Sequence, residues 1–160
     1  MAGRPGCSTL SSPAIGHLVH TADFERMLTT PIRSRSAHFA VHHVAGRPSS
    51  PGRRPREADG NKLSTGTAPV IKPPVDDSPA GHWLGSVIPK RHARRSVTRS
   101  LLKRQIRSAM ARHAALLPPG LWLVRLRAPF APAQFPSAAS VALRVAAHDE
   151  LEQLFTRAAA

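Results

Sequence analysis

Apolar residues at helical spacing predict one helix in the first part of the chain and another near its end. Phe24, Met27 and Leu28 follow an i, i+3, i+4 pattern that predicts a short helix over 22–29. A closing helix is predicted from about 140 to 157. Its apolar side is formed by Leu143, Ala147, Leu151, Leu154 and Phe155.

The longest helical pattern lies in the second half of the chain. It begins near Arg94 and ends before the Pro-Pro-Gly sequence at 118–120, which stops a helix. Its apolar side is predicted to be formed by Leu102, Ile106, Ala109, Met110, His113 and Leu117. Lys103, Arg104 and Arg107 fall outside this stripe. The helix is therefore expected to have one buried side and one charged side.

Three further segments have the character of β-strands. Residues 36–44 place Phe39 and Val41 on one face, and residues 83–88 form a short apolar run. The third strand, over 121–127, has Trp122, Val124 and Leu126 on one face. The order of helix, strands, helix, strand and helix predicts an α/β (α+β) two-layer sandwich with a single small mixed sheet and a long basic helix.

Spacer-like composition interrupts these elements. Residues 46–81 contain seven proline and five glycine residues and no aromatic residue, so they cannot bury enough apolar area to offset the entropy of ordering. We predict that they form a disordered insertion within a single domain spanning 21–158. Residues 128–139, rich in alanine and proline, are predicted to be a second spacer. Residues 1–20 are expected to be poorly ordered.

Positive charge is concentrated in one region of the sequence. The chain has 23 lysine and arginine residues against nine acids, and its net charge is +14. The segment 82–127 holds eleven of the basic residues and no acid. A domain this basic repels itself unless it has a polyanionic partner, which is usually nucleic acid. An anionic membrane surface is the alternative partner.

Within the long helix, basic residues recur every fourth position. Arg95, Arg99, Lys103 and Arg107 turn by about 40° at each step, so together with the neighbouring Arg104 they form a slowly turning surface that we call the basic ridge. Like charges at this spacing repel by roughly a few tenths of a kcal/mol per pair. A solvated helix face is the simpler interpretation, but the absence of acids from this segment favours contact with phosphates.

The ridge also carries a recognisable motif. The helix reads Arg99-Ser100-Leu101-Leu102-Lys103-Arg104-Gln105-Ile106-Arg107, and it follows a strand that ends near the basic pair Lys90-Arg91. This arrangement resembles the signature of the ribonuclease P protein family, whose helix reads Arg-Asn-Arg-x-Lys-Arg-x-x-Arg. Arg99, Lys103, Arg104 and Arg107 match this signature, and Gly85 matches upstream.

The resemblance extends beyond the motif and has departures within it. Phe24, the strand at 36–44, the strand at 122–127 and the helix at 151–155 are similar to family elements, so the likeness covers about 21–45 and 82–158. Ser100 and Leu101 stand where the family has Asn and Arg. Ser108 and Leu121 stand where acids are common in the family.

In the family, the basic helix docks on a catalytic RNA, and a cleft between sheet and helix receives the 5′ leader of precursor tRNA. The resemblance implies RNA contacts from Lys90, Arg91, Arg95, Arg99, Lys103, Arg104 and Arg107. It implies a leader cleft lined by Phe24, Leu28 and His42, with Lys103 and Arg107 at its edge.

The resemblance implies a subunit of the ribonuclease P endoribonuclease, a hydrolase that removes the leader during tRNA maturation. The expected partners are the catalytic RNA subunit and precursor tRNA. The RNA and its Mg²⁺ ions would perform the hydrolysis, so the protein is expected to carry no catalytic residue and to be inactive alone.

Other classes of protein share some of these features. A structural or ribosomal-type RNA-binding protein would have the same size and charge, but not the ordered motif. A DNA-binding or membrane-surface protein would share only the basic helix. His38, His42 and His43 are close in sequence, yet no cysteine or acid stands at ligand spacing, so no metal site is predicted.

Targeting features point to the cytoplasm. Cys7 is the only cysteine, which suits a reducing compartment. No apolar run approaches the roughly 18 residues of a membrane span, and the N-terminus lacks the apolar stretch of a secretory signal. We therefore expect a cytoplasmic protein without a membrane partner.

Overall fold

The computed structural model describes residues 14–49 and 81–160. Within these ranges the chain forms five strands and three helices. In chain order they are β1 (Ile15–His17), α1 (Thr21–Thr29), β2 (Ile32–Arg35), β3 (Phe39–Val44), β4 (His82–Val87), α2 (Ser96–His113), β5 (Gly120–Leu126) and α3 (Val141–Ala159).

The strands form one mixed sheet in the order β1-β4-β5-β3-β2. β4 pairs in parallel with both β1 and β5, whereas β3 pairs antiparallel with β5 and β2. Gly120 begins β5 at φ +137°, and a Cβ there would lie 2.5 Å from the carbonyl oxygen of Val44. Glycine is thus required where the chain enters the central strand.

The two faces of the sheet carry different cores. On β5, Trp122, Val124 and Leu126 pack with α2 and α3 in the main core, while Leu121 and Leu123 pack with α1 in a smaller cluster on the other face. Because side chains alternate along a strand, one central strand serves both cores. α1 therefore lies on the opposite face of the sheet from α2 and α3.

The predicted fold is confirmed in its main features. The chain is α+β with a single mixed sheet, and α2 is the predicted long basic helix, although it begins at Ser96 rather than near Arg94. All six residues of the predicted stripe, Leu102, Ile106, Ala109, Met110, His113 and Leu117, are buried. The position of α1 adds a partial third layer to the two-layer arrangement.

The two edge strands of the sheet, β1 and β2, were not predicted from the sequence. β1 lies within 1–20, where poor order was expected; that expectation is wrong for residues 15–17, and residues 1–13 lie outside the described residues. β1 is only three residues long and exists through its parallel pairing with β4. A strand this short has no periodicity of its own, so only the tertiary partner reveals it.

The two predicted spacers have different outcomes. Most of the insertion, 50–80, lies outside the described residues. Just before it, the backbone N–H and hydroxyl of Ser49 donate to the buried carboxylate of Asp23 at 3.0 and 2.7 Å. Residues 128–139 contain no helix or strand, but Phe130 and Phe135 pack against the main core. This second segment is thus more than a spacer, because its aromatic rings bury apolar area.

Candidate nucleic-acid interface

The structure places the basic ridge on the outer side of α2. Lys103, Arg104 and Arg107 are exposed, Arg95 is exposed just before the first turn, and Arg99 is half-buried. The opposite side of the helix is the buried stripe that packs on the sheet and α3. Because the stripe fixes the rotation of the helix, it also fixes the direction in which the ridge points.

Arg99 supports the start of the helix from within the ridge. Its Nη1 donates to the carbonyl oxygens of Ala93 and Arg94 at 3.0 and 2.7 Å. Arg95, at the N-cap, provides no side-chain cap, so the helix begins without the usual hydroxyl or carboxylate. Arg99 therefore has a structural role in the turn before α2 in addition to its charge.

Arg107 joins the ridge to the edge strand β1. Its Nη2 donates to the carbonyl oxygen of Ile15 at 3.1 Å, and its Nη1 lies 2.6 Å from Nε2 of His17. Since a guanidinium only donates, His17 accepts at Nε2 and is the tautomer protonated at Nδ1. The side chain that ends the ridge thus also holds the N-terminal strand in place.

Lys103 and Arg104 differ from these two arginines. Neither forms a hydrogen bond or ion pair with another residue of the described ranges. Their cationic groups are therefore the ones that are available to an external anion.

The nearby acids are engaged elsewhere. Arg112, near the end of α2, forms an ion pair with Glu152, and its Nε donates to that carboxylate at 2.8 Å. Glu150 contacts the ring of His38 at 2.7 Å, and Asp149 contacts His148. These acids all belong to α3, and no acid of the described residues forms an ion pair with a residue of the ridge.

Two titratable groups outside the ridge have shifted pKa values. Burial alone would raise the pKa of Glu150, but hydrogen bonds from Ser36 and from the backbone and ring of His38 outweigh it, and the pKa is lowered. The pKa of His43 is also lowered, chiefly because burial disfavours its charged form. Both groups make their contacts within the fold and lie outside the ridge.

A cleft opens where the ridge meets the sheet edge. It has a volume of about 380 Å³. It is lined by His17, Leu18, Phe24, Leu84, Gly85, Ser86, Lys103, Arg104 and Arg107. β1 pairs with β4 only as far as Leu84, so β4 has no neighbour on this side beyond that residue in the described part of the chain. The cleft floor therefore combines an open strand edge with apolar side chains, and its wall is cationic.

Gly85 allows Phe24 to reach this floor. A Cβ on Gly85 would lie 2.9 Å from the ring of Phe24 and 3.0 Å from Leu123. Phe24 is half-buried, so one part of its ring packs on the sheet while another part faces the cleft. The absence of a side chain at Gly85 is what lets the aromatic ring from α1 lie against the strand.

The predicted cleft residues divide into two groups. Phe24, Lys103 and Arg107 line the same cleft. Leu28 is 41% exposed and lies outside the cleft lining, and His42 is only 5% exposed. The Nδ1 of His42 lies 2.9 Å from the carbonyl oxygen of Thr30, beneath the end of α1. His42 thus supports α1 instead of facing the cleft.

Two of the predicted RNA-binding residues precede α2, and two residues that line the cleft were not predicted. Lys90 and Arg91 are exposed in the turn between β4 and α2, and Arg91 donates to the ring of His92 at 3.2 Å. Sequence reasoning missed His17 and Leu18 as cleft residues. No signal could have identified them, because they reach the cleft only through the pairing of β1 with β4.

The three histidines considered as metal ligands have separate environments. His38 pairs with Glu150, His42 contacts Thr30, and the ring of His43 packs on Trp122 at 4.4 Å. In the described ranges, no group of three or more potential ligands among His, Cys, Asp and Glu comes together. Nor does any helix there have the length and apolar character needed to cross a bilayer.

Comparison with known proteins gives a consistent result. A family model described as Ribonuclease P matches residues 13–158. The chain is 38% identical over 104 residues to the ribonuclease P protein component of Bordetella parapertussis, which covers 62% of this chain and 80% of the relative. It is 42% identical over 76 residues to that of Burkholderia pseudomallei, which covers 48% of this chain and 56% of the relative.

A solved structure shares the fold. The RNase P protein of Staphylococcus aureus matches with a TM-score of 0.51 and covers 89% of this chain and 94% of that chain. The sequence identity is 15%, so this likeness bears on architecture alone.

Proposed function

The chain belongs to the ribonuclease P protein family, and we propose that it binds both RNAs of the tRNA 5′-processing reaction, through two adjoining surfaces. Membership places it in an endoribonuclease holoenzyme together with an RNA subunit. The proposal assigns the basic ridge to the RNA subunit and the cleft to the leader of precursor tRNA. The observation that carries it is that one helix, α2, supplies cationic side chains to both surfaces.

The ridge suits an RNA backbone. Lys103 and Arg104 have no partner among the described residues, so their binding to phosphate requires no internal ion pair to be broken. Each phosphate that is neutralised releases about one counterion, which favours binding most strongly at low salt. Arg99 and Arg107 keep guanidinium nitrogens beyond those that bond the protein, and can contribute as well.

The cleft suits a single strand. Phe24 offers part of an aromatic face for a base, and Lys103 and Arg107 lie where they can follow the sugar-phosphate backbone. The open edge of β4 at Ser86 adds backbone groups that can hydrogen-bond to a nucleotide, because the carbonyl of Leu84, two residues earlier, points to the same side. One aromatic ring makes stacking a modest contribution, so affinity would depend mainly on charge.

The protein's part in the reaction is to bind and position. The RNA subunit, with the Mg²⁺ ions that it holds, supplies the chemistry of phosphodiester hydrolysis. Phe24, Lys103 and Arg107 would fix the leader in relation to the RNA subunit, which is docked on the same helix. Holding both RNAs on one rigid element reduces the entropy that is lost when the cleavage site is aligned.

Reconstitution tests this proposal. The full chain, mixed with its RNA subunit, should cleave precursor tRNA, and the chain alone, after digestion of contaminating RNA, should not. The complex should bind precursor tRNA more tightly than mature tRNA, because only the precursor has a leader.

The Phe24→Ala variant should reduce that difference in affinity about fivefold or more, since stacking on one aromatic contributes roughly 1–3 kcal/mol. Leu28→Ala, on the same helix but outside the cleft lining, is the matched control and should preserve the difference. Equal affinity of the wild-type complex for precursor and mature tRNA would contradict the cleft assignment.

A further inference from the structure

A second cavity lies on the other side of α2 from the cleft. It has a volume of about 310 Å³ and lies between the turn before α2, the first turns of that helix, the segment 129–138 and Leu143 of α3. Its side chains include Arg91, Arg94, Arg95, Phe130 and Phe135, and we call it the arginine-phenylalanine pocket. Within the described part of the chain, it shares no lining residue with the cleft.

The aromatic wall of this pocket is held in place by the core. Phe130 stacks on the ring of His38 at 4.0 Å between centroids, and Phe135 meets Phe130 edge to face at 5.6 Å. The hydroxyl of Thr98 donates to the carbonyl oxygen of Ala138 at 2.8 Å and ties the segment to α2. The pocket is therefore formed before any ligand arrives, which lowers the entropic cost of binding.

The chemistry of the lining matches a nucleotide. Three arginines line the pocket together with the two phenylalanines, and no acid of the described residues belongs to this lining. The side chain of Arg94 forms no hydrogen bond with another described residue, and that of Arg95 has one long contact, at 3.5 Å, to the carbonyl oxygen of Pro136. Guanidinium groups bind phosphate through paired hydrogen bonds, and aromatic rings stack with bases.

The ridge connects this pocket with the cleft. Arg95 lies in the pocket, whereas Lys103 and Arg107 lie in the cleft, and successive ridge residues turn by about 40° around α2. An RNA strand that follows the ridge from the cleft would thus arrive at Arg95. Paired bases in a duplex cannot enter a pocket of this kind, but an unpaired base can.

We propose that the arginine-phenylalanine pocket binds an unpaired nucleotide of the RNA held along α2. Its base packs against Phe130 and Phe135, and its phosphate is held by Arg94 and Arg95. This inference rests on the proposed function, because it requires RNA on the ridge. It adds a second base-binding site, built from a segment whose sequence is typical of a spacer.

Photo-cross-linking tests the proposal with a defined probe. The full chain is irradiated with an oligouridylate of about ten nucleotides that carries 4-thiouridine, a length in the range used by single-strand-binding domains. Tryptic cleavage separates the two sites, because the peptide 128–144 contains Phe130 and Phe135 while Phe24 lies in a peptide that ends at Arg26. Cross-links are expected in both peptides.

Variants then assign the cross-links. Phe135→Leu keeps an apolar side chain against the core and should reduce the cross-link to 128–144 about fivefold or more. Arg94 lies on the surface, and Arg94→Gln should reduce the same cross-link by a similar factor. Phe24→Leu is the matched control and should reduce only the cross-link to the peptide that ends at Arg26. The melting temperature of each variant shows whether it is folded.

The alternative outcomes separate the two proposals. Cross-links confined to the peptide that ends at Arg26 would overturn the pocket proposal and leave the cleft intact. A cross-link to 128–144 that is unchanged in both pocket variants would also overturn it. The absence of cross-links from both peptides would contradict RNA binding by the cleft, and with it the proposed function.

Discussion

The two sides of α2 have opposite compositions and do different work. The inner side is apolar and fully enclosed between the sheet and α3, with Leu102 and Ile106 at its centre. The outer side holds Lys103 and Arg104, which have no partner among the described residues. One face thus fixes the helix in the fold, while the cationic groups on the other face remain available to an external anion.

The basic residues of α2 also differ among themselves in the contacts that their side chains make. Arg112 is neutralised by Glu152, and Arg99 and Arg107 each bond to the backbone of a neighbouring segment. Charge alone would assign all of them to RNA binding. The contacts instead rank them, with Lys103 and Arg104 the most available and Arg112 the least.

The largest effect should come from the inner side. Leu102→Ala removes a fully buried side chain and should lower the free energy of unfolding by about 2–5 kcal/mol, as measured by urea denaturation. The salt dependence of RNA binding should be unchanged, because the substitution removes no charge. Ser100→Ala, exposed on the same helix, is the control and should alter stability by less than about 0.5 kcal/mol.

Arg107 should show both effects because it touches β1 and lies on the ridge. Arg107→Lys keeps the charge but loses the fork to Ile15 and His17, so it should lower the free energy of unfolding by about 0.5–1 kcal/mol. The dependence of RNA affinity on salt should stay the same. Arg107→Ala should show the same loss of stability and also a weaker salt dependence. Wild-type stability in Arg107→Lys would mean that the contact with β1 contributes nothing.

A variant at Arg104 tests the outer side of α2 separately from the buried side. Arg104→Ala should reduce the slope of log K against log salt by roughly one unit, with little change in melting temperature. Arg112→Ala is the matched control: the same residue type on the same helix, already paired with Glu152, should leave the slope nearly unchanged. A loss of stability with unchanged RNA affinity in Arg104→Ala would instead assign Arg104 to packing.

Sequence periodicity predicted those parts of the molecule that are long and amphipathic. The stripe of α2 spans several turns, so its phase is fixed by many residues, and the direction of the ridge follows from it. β1 and β2 have three and four residues and depend on partners elsewhere in the sheet. Their existence is a tertiary property that local patterns do not encode.

The site was predictable to the extent that it lies on α2. The exposure of Lys103 and Arg107 follows from the helix phase, whereas their place beside the cleft, like that of Phe24, needed the family resemblance. His42 was assigned to the cleft by the same resemblance, but the return of α1 over its strand buries it against Thr30. Phe130 and Phe135 were overlooked, because proline and alanine around them obscured two aromatic residues that reach the core.

The smallest effect is expected from two titratable groups outside the ridge, through the pH dependence of stability. The pKa of Glu150 is lowered in the fold by hydrogen bonds from Ser36 and His38, which outweigh the opposing effect of burial. A lowered carboxyl pKa means that the unfolded chain binds the proton more tightly. The stabilisation is therefore complete above the ordinary glutamate pKa of 4.5 and is lost as the pH falls through the lower value in the fold.

Glu150→Gln should consequently be less stable than wild type at neutral pH, and the difference should shrink as the pH falls below about 4.5. His43 acts in a separate window: burial lowers its pKa, so its contribution declines as the pH falls below the ordinary histidine value of 6.5. His43→Gln should flatten the stability profile in that higher window and leave the acid limb in place. Thermal unfolding from pH 3 to 8 distinguishes the two. Since Glu150 lies on α3 and His43 on β3, neither variant should change the salt dependence of RNA binding. A change in that slope would mean that these positions are coupled to the ridge through the fold.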